Sequence, residues 1–99
     1  MNVAFLCLGG NTGNRSETLA LAIQALQAAG CRLRAASRVY ETAAWGSNSG
    51  NNFLNQVICV ETLWGAERLM QVLLEVEAGL GRKREANRNA DRSIDIDIL

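Results

Sequence analysis

Residues 92–99 read Arg-Ser-Ile-Asp-Ile-Asp-Ile-Leu, which alternates carboxylate and branched aliphatic side chains. Successive side chains of a β-strand point to opposite faces, so Asp95 and Asp97 would share one face about 6–7 Å apart. The other face would be filled by Ile94, Ile96 and Ile98. Two carboxylates this close repel each other and cannot be buried without compensation. The segment therefore predicts a strand with one apolar face and one acidic face.

The preceding sequence places this strand last in a βαββαβ order. Apolar runs and periodicity predict strands over residues 3–8, 32–40 and 53–62 and from about residue 93, and helices over residues 15–29 and 66–80. Asn14 and Glu17 form a capping pattern for the first helix, and Gly30 follows its end. The order predicts an α+β, ferredoxin-like sandwich: a four-stranded antiparallel sheet with two helices on one face.

Two loops separate these elements. Residues 9–14 are turn formers, and a structural turn is the favoured interpretation. Residues 41–52 are rich in Gly, Ser and Asn, and loops of this length in compact domains are often functional.

Composition indicates one small globular domain over residues 1–99. The chain is 48% hydrophobic with a formal net charge of zero, which gives no general attraction to nucleic acid or membranes. No apolar run reaches the roughly 18 residues that a membrane span needs. Because the sequence stops within an apolar strand pattern, we expect the domain to be truncated in or after the fourth strand.

Three widely spaced cysteines lie in apolar contexts and lack any metal-binding spacing: Cys7, Cys31 and Cys59. They predict buried free thiols and a cytoplasmic location. The chain contains no His, which removes the commonest general base and zinc ligand.

A basic segment precedes the acidic strand. Half of the 10 Lys and Arg residues lie between residues 82 and 92. Guanidinium groups match phosphate oxygens, and Mg²⁺ commonly binds one or two carboxylates plus substrate phosphates. The combination predicts a site for a metal-bound polyphosphate. The alternative is a solvated strand face beside a solvated loop, but Asp is disfavoured in strands and two in alternation need a reason.

Five ordered blocks carry a resemblance to a known family. They are Leu8-Gly9-Gly10-Asn11 with Gly13-Asn14-Arg15, Ser37-x-x-Tyr40-Glu41-Thr42, Phe53-Leu54-Asn55, Gly81-Arg82-x-Arg84, and Arg92-x-Ile94-Asp95-Ile96-Asp97-Ile98-Leu99. Over essentially the whole chain, the sequence resembles 6-hydroxymethyl-7,8-dihydropterin pyrophosphokinase. The resemblance implies an enzyme of folate biosynthesis that transfers diphosphate from ATP to the pterin, with two Mg²⁺ ions expected. It also implies further C-terminal strands and a loop that complete the ATP site, and it places the Gly9-Gly10-Asn11 segment near the pterin pocket.

The resemblance assigns roles to the charged residues. Asp95 and Asp97 would bind the metal. The residues that would bind ATP are Arg82, Arg84, Arg88 and Arg92. Of these, Arg82 and Arg92 would act on the reacting phosphates, which makes them catalytic together with the two carboxylates.

The resemblance also outlines a pterin pocket of Thr42, Trp45, Phe53 and Asn55. A pterin is a flat ring with a donor and acceptor edge, so it needs an aromatic side chain on its face and an amide at its edge. Phe53 would stack on the ring and Asn55 would bind its edge, although Phe53 is also compatible with ordinary core. Trp64 is expected to pack. Glu77 is a candidate support for the arginine segment or an ordinary helix-surface residue.

The chain departs from the family at two places. Ala43-Ala44 replace prolines, and Asn89-Ala90-Asp91 replace a Trp-Gly-Pro segment, which predicts a more flexible pocket loop and no tryptophan cover. Two other function classes stay open. One is a catalytically silent ferredoxin-like module that binds a ligand or a partner chain. An unpaired edge strand would favour this class, because it invites pairing with another chain, including self-association. The other is an RNA-binding sheet, which the zero net charge and the missing aromatic strand motif disfavour.

Overall fold

A computed structural model of the chain describes residues 1–43, 52–81 and 94–99. Within these ranges the elements are β1 (Asn2–Gly10), α1 (Arg15–Ala28), β2 (Cys31–Ala36), β3 (Tyr40–Thr42), β4 (Phe53–Thr62), α2 (Ala66–Gly79) and β5 (Asp95–Ile98). All observed strand pairs are antiparallel. The architecture is an α+β fold that agrees with the predicted ferredoxin-like sandwich.

The central strand of the described sheet is β1. The order is β2-β4-β1-β5, with β3 also paired to β4. Along one edge of β1, Asn2 lies opposite Thr62 and the pairing continues to Gly10. Along the other edge, Leu6 lies opposite Ile98 and Gly9 opposite Asp95. β1 is thus central in the described sheet but buried on one face only, because Val3 and Phe5 are 50% and 54% exposed whereas Leu6 and Leu8 are fully buried.

Two predicted boundaries need correction. The strand predicted over residues 32–40 is divided into β2 and β3, so the described sheet has five strands where four were predicted. Between them, the Ser37 hydroxyl accepts a hydrogen bond from the Val57 N–H at 2.9 Å, in place of a backbone carbonyl. Gly9 and Gly10, predicted to lie in a turn, belong to β1 because β4 and β5 supply partners for them.

Both helices cover one face of the sheet and enclose the core there. The buried apolar side chains are Leu6, Leu8, Leu19, Ala22, Leu26, Cys31, Ile58, Val60, Leu69, Val72, Leu73, Val76, Ile94 and Ile96. The inward position predicted for Ile94 and Ile96 is confirmed, whereas Ile98 is 36% exposed at the end of its strand. The strand residues at alternate positions face away from the helices.

Local contacts at the helix ends follow the sequence signals. Asn14 Oδ1 accepts from the Glu17 N–H at 3.2 Å, and Asn14 Nδ2 donates to the Glu17 carboxylate at 3.1 Å, which confirms the predicted cap. Trp64 Nε1 donates to the Ala29 carbonyl at 2.9 Å and would lie 3.1 Å from a Cβ atom placed on Gly30, so the ring packs against the end of α1 as predicted, with 36% of Trp64 exposed. Among the described helices, none is long and apolar enough to cross a membrane.

Candidate active site

The sheet face away from the helices, called the open face below, carries a cavity of about 180 Å³. Strands β1, β3, β4 and β5 all contribute to its wall. The lining residues are Cys7, Gly9, Thr42, Phe53, Asn55, Asp95 and Asp97. The fold therefore brings five of the predicted site residues, from three separate stretches of sequence, to one cavity.

The two carboxylates lie on the open face of β5. Asp95 is half-buried opposite Gly9, and Asp97 is exposed opposite Cys7. The described residues contain no group of three or more His, Cys, Asp or Glu side chains arranged to hold a metal. Two hard oxygen donors on an accessible face nevertheless suit Mg²⁺, because this ion usually keeps several waters and takes further ligands from substrate phosphates. The donor set fits the predicted metal role, which stays a prediction.

The predicted pocket residues on β3 and β4 contact one another. Asn55 Nδ2 donates to Thr42 Oγ1 at 2.8 Å, which fixes the orientation of the carboxamide. Phe53 lies opposite Thr42 in the strand pairing and is half-buried against the cavity. An aromatic face and an oriented amide are thus presented to the same space.

Gly9 is a site residue whose role the favoured turn interpretation missed, although the resemblance places its segment near the pterin pocket. A Cβ atom placed on Gly9 would lie 2.7 Å from Asn55 Oδ1, closer than real Cβ atoms approach other atoms. The absence of a side chain at Gly9 therefore makes room for the Asn55 carboxamide. The two-residue alternation of β1, which puts Cys7 and Gly9 on one face, was the signal that could have located it.

The open face also changes the interpretation of the cysteines. All three are free, but only Cys31 is buried, whereas Cys7 and Cys59 are half-buried because no helix covers their side of the sheet. The prediction of three buried thiols is therefore wrong for two of them. Burial raises the pKa of the Cys31 thiol, opposed by a hydrogen bond to Thr62, so this thiol stays protonated at neutral pH.

Tyr40 lies beside the cavity wall and interacts with Cys7. Desolvation raises the pKa of the Tyr40 phenol, and its interaction with the Cys7 thiol raises that pKa further. The phenol is therefore a hydrogen-bond donor at neutral pH.

Arg15 makes contacts near the site that the sequence interpretation did not predict. Its guanidinium donates to the Asn52 carbonyl at 2.7 Å and forms an ion pair with Glu41 at 3.5 Å. Glu41 and Asn52 are the first and last residues of the loop that the sequence predicts over residues 41–52. The start of α1 is thereby tied to both ends of the predicted pocket loop.

Glu77 is buried, so its interpretation as an ordinary helix-surface residue is wrong. Its side chain is only 4% exposed, and its carboxylate accepts the backbone N–H of Ile96 at 2.7 Å. The helical spacing could have indicated this burial, because Glu77 follows Leu73 by four residues on the apolar stripe of α2.

Five other predicted site residues lie outside the described ranges: Trp45, Arg82, Arg84, Arg88 and Arg92. Their assigned roles stay predictions.

The sequence over residues 5–99 matches the family described as 7,8-dihydro-6-hydroxymethylpterin-pyrophosphokinase. The chain belongs to this family. The match includes all residues that line the cavity and confirms the resemblance drawn from the sequence blocks.

Individual proteins that are similar to this chain are named as pyrophosphokinases of the same kind. A 2-amino-4-hydroxy-6-hydroxymethyldihydropteridine pyrophosphokinase from Porphyromonas gingivalis is 38% identical over 101 residues, covering 100% of this chain and 69% of the relative. Proteins of the same name from Methylorubrum extorquens and Bacillus subtilis are 41% and 34% identical, covering 100% and 99% of this chain. The chain spans 63% of the first of these two and 59% of the second, so it is shorter than the relatives that it matches.

Proposed function

We propose that the chain carries the active site of a pyrophosphokinase of folate biosynthesis, which transfers diphosphate from ATP to 6-hydroxymethyl-7,8-dihydropterin. The observation that carries the proposal is a cavity that is lined by Phe53 and Asn55 on one side and by Asp95 and Asp97 on the other. Family membership and the names of the relatives support the same reaction. No observation favours a catalytically silent module.

The cavity residues divide into two functional groups. Phe53 would stack on the pterin ring, and Asn55, oriented by Thr42, would pair with the donor and acceptor edge of the ring. Asp95 and Asp97 would hold Mg²⁺, with two ions expected. When bound, Mg²⁺ would neutralise phosphate charge and orient the triphosphate of ATP.

Positioning is the main contribution expected from the protein. Phosphoryl-type transfer depends mostly on alignment and charge neutralisation, so no strong base is needed beside the pterin hydroxyl. We propose that Arg82 and Arg92 act on the reacting phosphates and that Arg84 and Arg88 bind ATP. Guanidinium groups suit this role because they form paired hydrogen bonds with phosphate oxygens.

The reaction products provide the test. The chain is incubated with Mg²⁺, ATP and the hydroxymethyl dihydropterin, and products are identified by mass spectrometry. Equal amounts of AMP and diphosphorylated pterin are expected, with none from an Asp97→Asn variant. Formation of ADP would contradict the proposed transfer. Binding of both substrates without turnover would instead favour the silent binding module.

Gly9→Ala is expected to weaken pterin binding selectively. The new Cβ would displace Asn55 from its contact with Thr42, and loss of an oriented hydrogen-bonding group costs about 1–3 kcal/mol, or roughly 5–150-fold in affinity. Pterin and Mg²⁺-ATP affinities are measured separately by calorimetry. Gly79→Ala is the matched control, because within the described residues no atom outside its own helix backbone and chain neighbours lies within 4 Å of the added Cβ. Unchanged pterin affinity in Gly9→Ala would show that Asn55 does not bind the ring edge.

A further inference from the structure

The Ile96 N–H lies on the outer edge of β5, away from β1. Antiparallel strands alternate between residue pairs that exchange hydrogen bonds and pairs that do not. The Leu99 N–H bonds to the Phe5 carbonyl at 2.9 Å, which places the odd-numbered N–H groups of β5 toward β1. The Ile96 N–H therefore points outward, and there it donates to the Glu77 carboxylate at 2.7 Å.

This hydrogen bond reaches the peptide that joins the two candidate metal ligands. Ile96 is the single residue between Asp95 and Asp97, and its side chain is buried at 4% exposure. With the Ile96 side chain packed in the core and its N–H bonded to Glu77, the backbone between the two aspartates is held from two directions. The relative orientation of the two carboxylates depends on that backbone.

Glu77 is itself held by the core. It is 4% exposed, and its neighbours Leu73 and Val76 on α2 are buried in the apolar cluster. A buried carboxylate is costly unless it forms hydrogen bonds, and a short bond from an N–H is among the stronger ones available to it. A hydrogen bond between a packed helix and β5, the last strand in the order of the described sheet, therefore links the core to the open face.

We propose that Glu77 is a positioning residue for the carboxylate pair and acts through the Ile96 N–H. The inference rests on the proposed function, because it takes Asp95 and Asp97 as the ligands of Mg²⁺. Glu77 lies on the helix side of the sheet, is not among the residues that line the cavity, and acts through the backbone of β5. Residues that orient metal ligands typically change metal affinity by about 10–100-fold when they are replaced.

The test compares two substitutions by calorimetric titration with Mg²⁺-ATP. Glu77→Gln retains a side-chain oxygen that can accept the Ile96 N–H, so it should keep most of the affinity. Glu77→Leu removes the acceptor at similar volume and should lower the affinity by about 10–100-fold. Val76→Ala is the matched control: it removes adjacent buried volume from the same helix and should lower thermal stability without lowering affinity.

The outcomes separate the two proposals. Equal losses in Glu77→Gln and Glu77→Leu would overturn the positioning role, because they would indicate an effect of charge. If folded Glu77→Leu binds Mg²⁺-ATP as tightly as the parent chain while binding still requires Asp97, the positioning role fails and the metal assignment stands. If Asp97→Ala binds Mg²⁺-ATP as the parent chain does, the metal assignment and the positioning role both fail.

Amide hydrogen exchange tests the contact even if the Leu variant does not fold. In the parent chain the Ile96 amide should be protected, and it should remain protected in Glu77→Gln. An Ile96 amide that exchanges as fast as solvent-exposed amides in the parent chain would overturn the proposal.

Discussion

Asp97→Ala is expected to abolish detectable binding of Mg²⁺-ATP. Asp97 is exposed on the open face of β5, so its removal should leave the fold intact while it takes away one of the two proposed metal ligands. Metal coordination is worth several kcal/mol, which corresponds to a loss of more than about 100-fold in affinity. Calorimetric titration with Mg²⁺-ATP measures this loss. Asp95→Ala should have the same effect, with some loss of stability because Asp95 is half-buried.

The control must separate metal binding from general charge. Glu75→Ala removes another exposed carboxylate, on α2 and paired with Arg68 at 3.4 Å, and should bind Mg²⁺-ATP like the parent chain. Excess chelator provides a second control, because without Mg²⁺ the parent chain and Asp97→Ala should bind ATP equally weakly. An unchanged titration in Asp97→Ala would refute the metal assignment.

Phe53→Ala should weaken pterin binding by about 5–150-fold, because stacking of a base on an aromatic ring is worth roughly 1–3 kcal/mol. Phe53 lines the cavity from β4, opposite Thr42, and β1 lies between β4 and the strand β5 that carries the two carboxylates. Its loss should therefore leave Mg²⁺-ATP affinity close to that of the parent chain. Fluorescence titration with the dihydropterin and calorimetry with Mg²⁺-ATP measure the two affinities.

Phe5→Ala is the matched control for this substitution. Phe5 is an exposed aromatic residue of β1 on the same open face, and it does not line the cavity. It should leave both affinities unchanged. Equal losses of pterin and Mg²⁺-ATP affinity in Phe53→Ala would instead assign Phe53 a structural role in the fold.

Features governed by local periodicity and capping could be predicted from the sequence. The strand predicted over residues 53–62 is found at Phe53–Thr62, because a long apolar run between polar segments has one strong interpretation. The Asn14 cap was predictable because its partner Glu17 lies only three residues away in the sequence. The position of Phe53 and Asn55 on one side of β4 followed from strand alternation.

Features that depend on distant partners were not predictable. Gly9 and Gly10 resemble a turn in isolation and become a strand only because β4 and β5 pair with them. The contact of Glu77 with Ile96 joins residues 19 positions apart in sequence, and helix periodicity indicates only that Glu77 is inward-facing. The exposure of Cys7 and Cys59 depends on which sheet face the helices cover, which apolar composition does not reveal.

Gly9 has a geometric consequence for the size of the substrate. It lies opposite Asn55 on one neighbouring strand and opposite Asp95 on the other. Since adjacent strands are about 4.8 Å apart, the Cα atoms of Asn55 and Asp95 are separated by roughly 10 Å, a span set by backbone hydrogen bonds. Under the proposed function, the strand spacing fixes the distance between the group that binds the ring edge and the group that holds the metal at the reacting phosphates. A ligand with a longer or shorter substituent on its ring would reach Asn55 or the metal site, but not both.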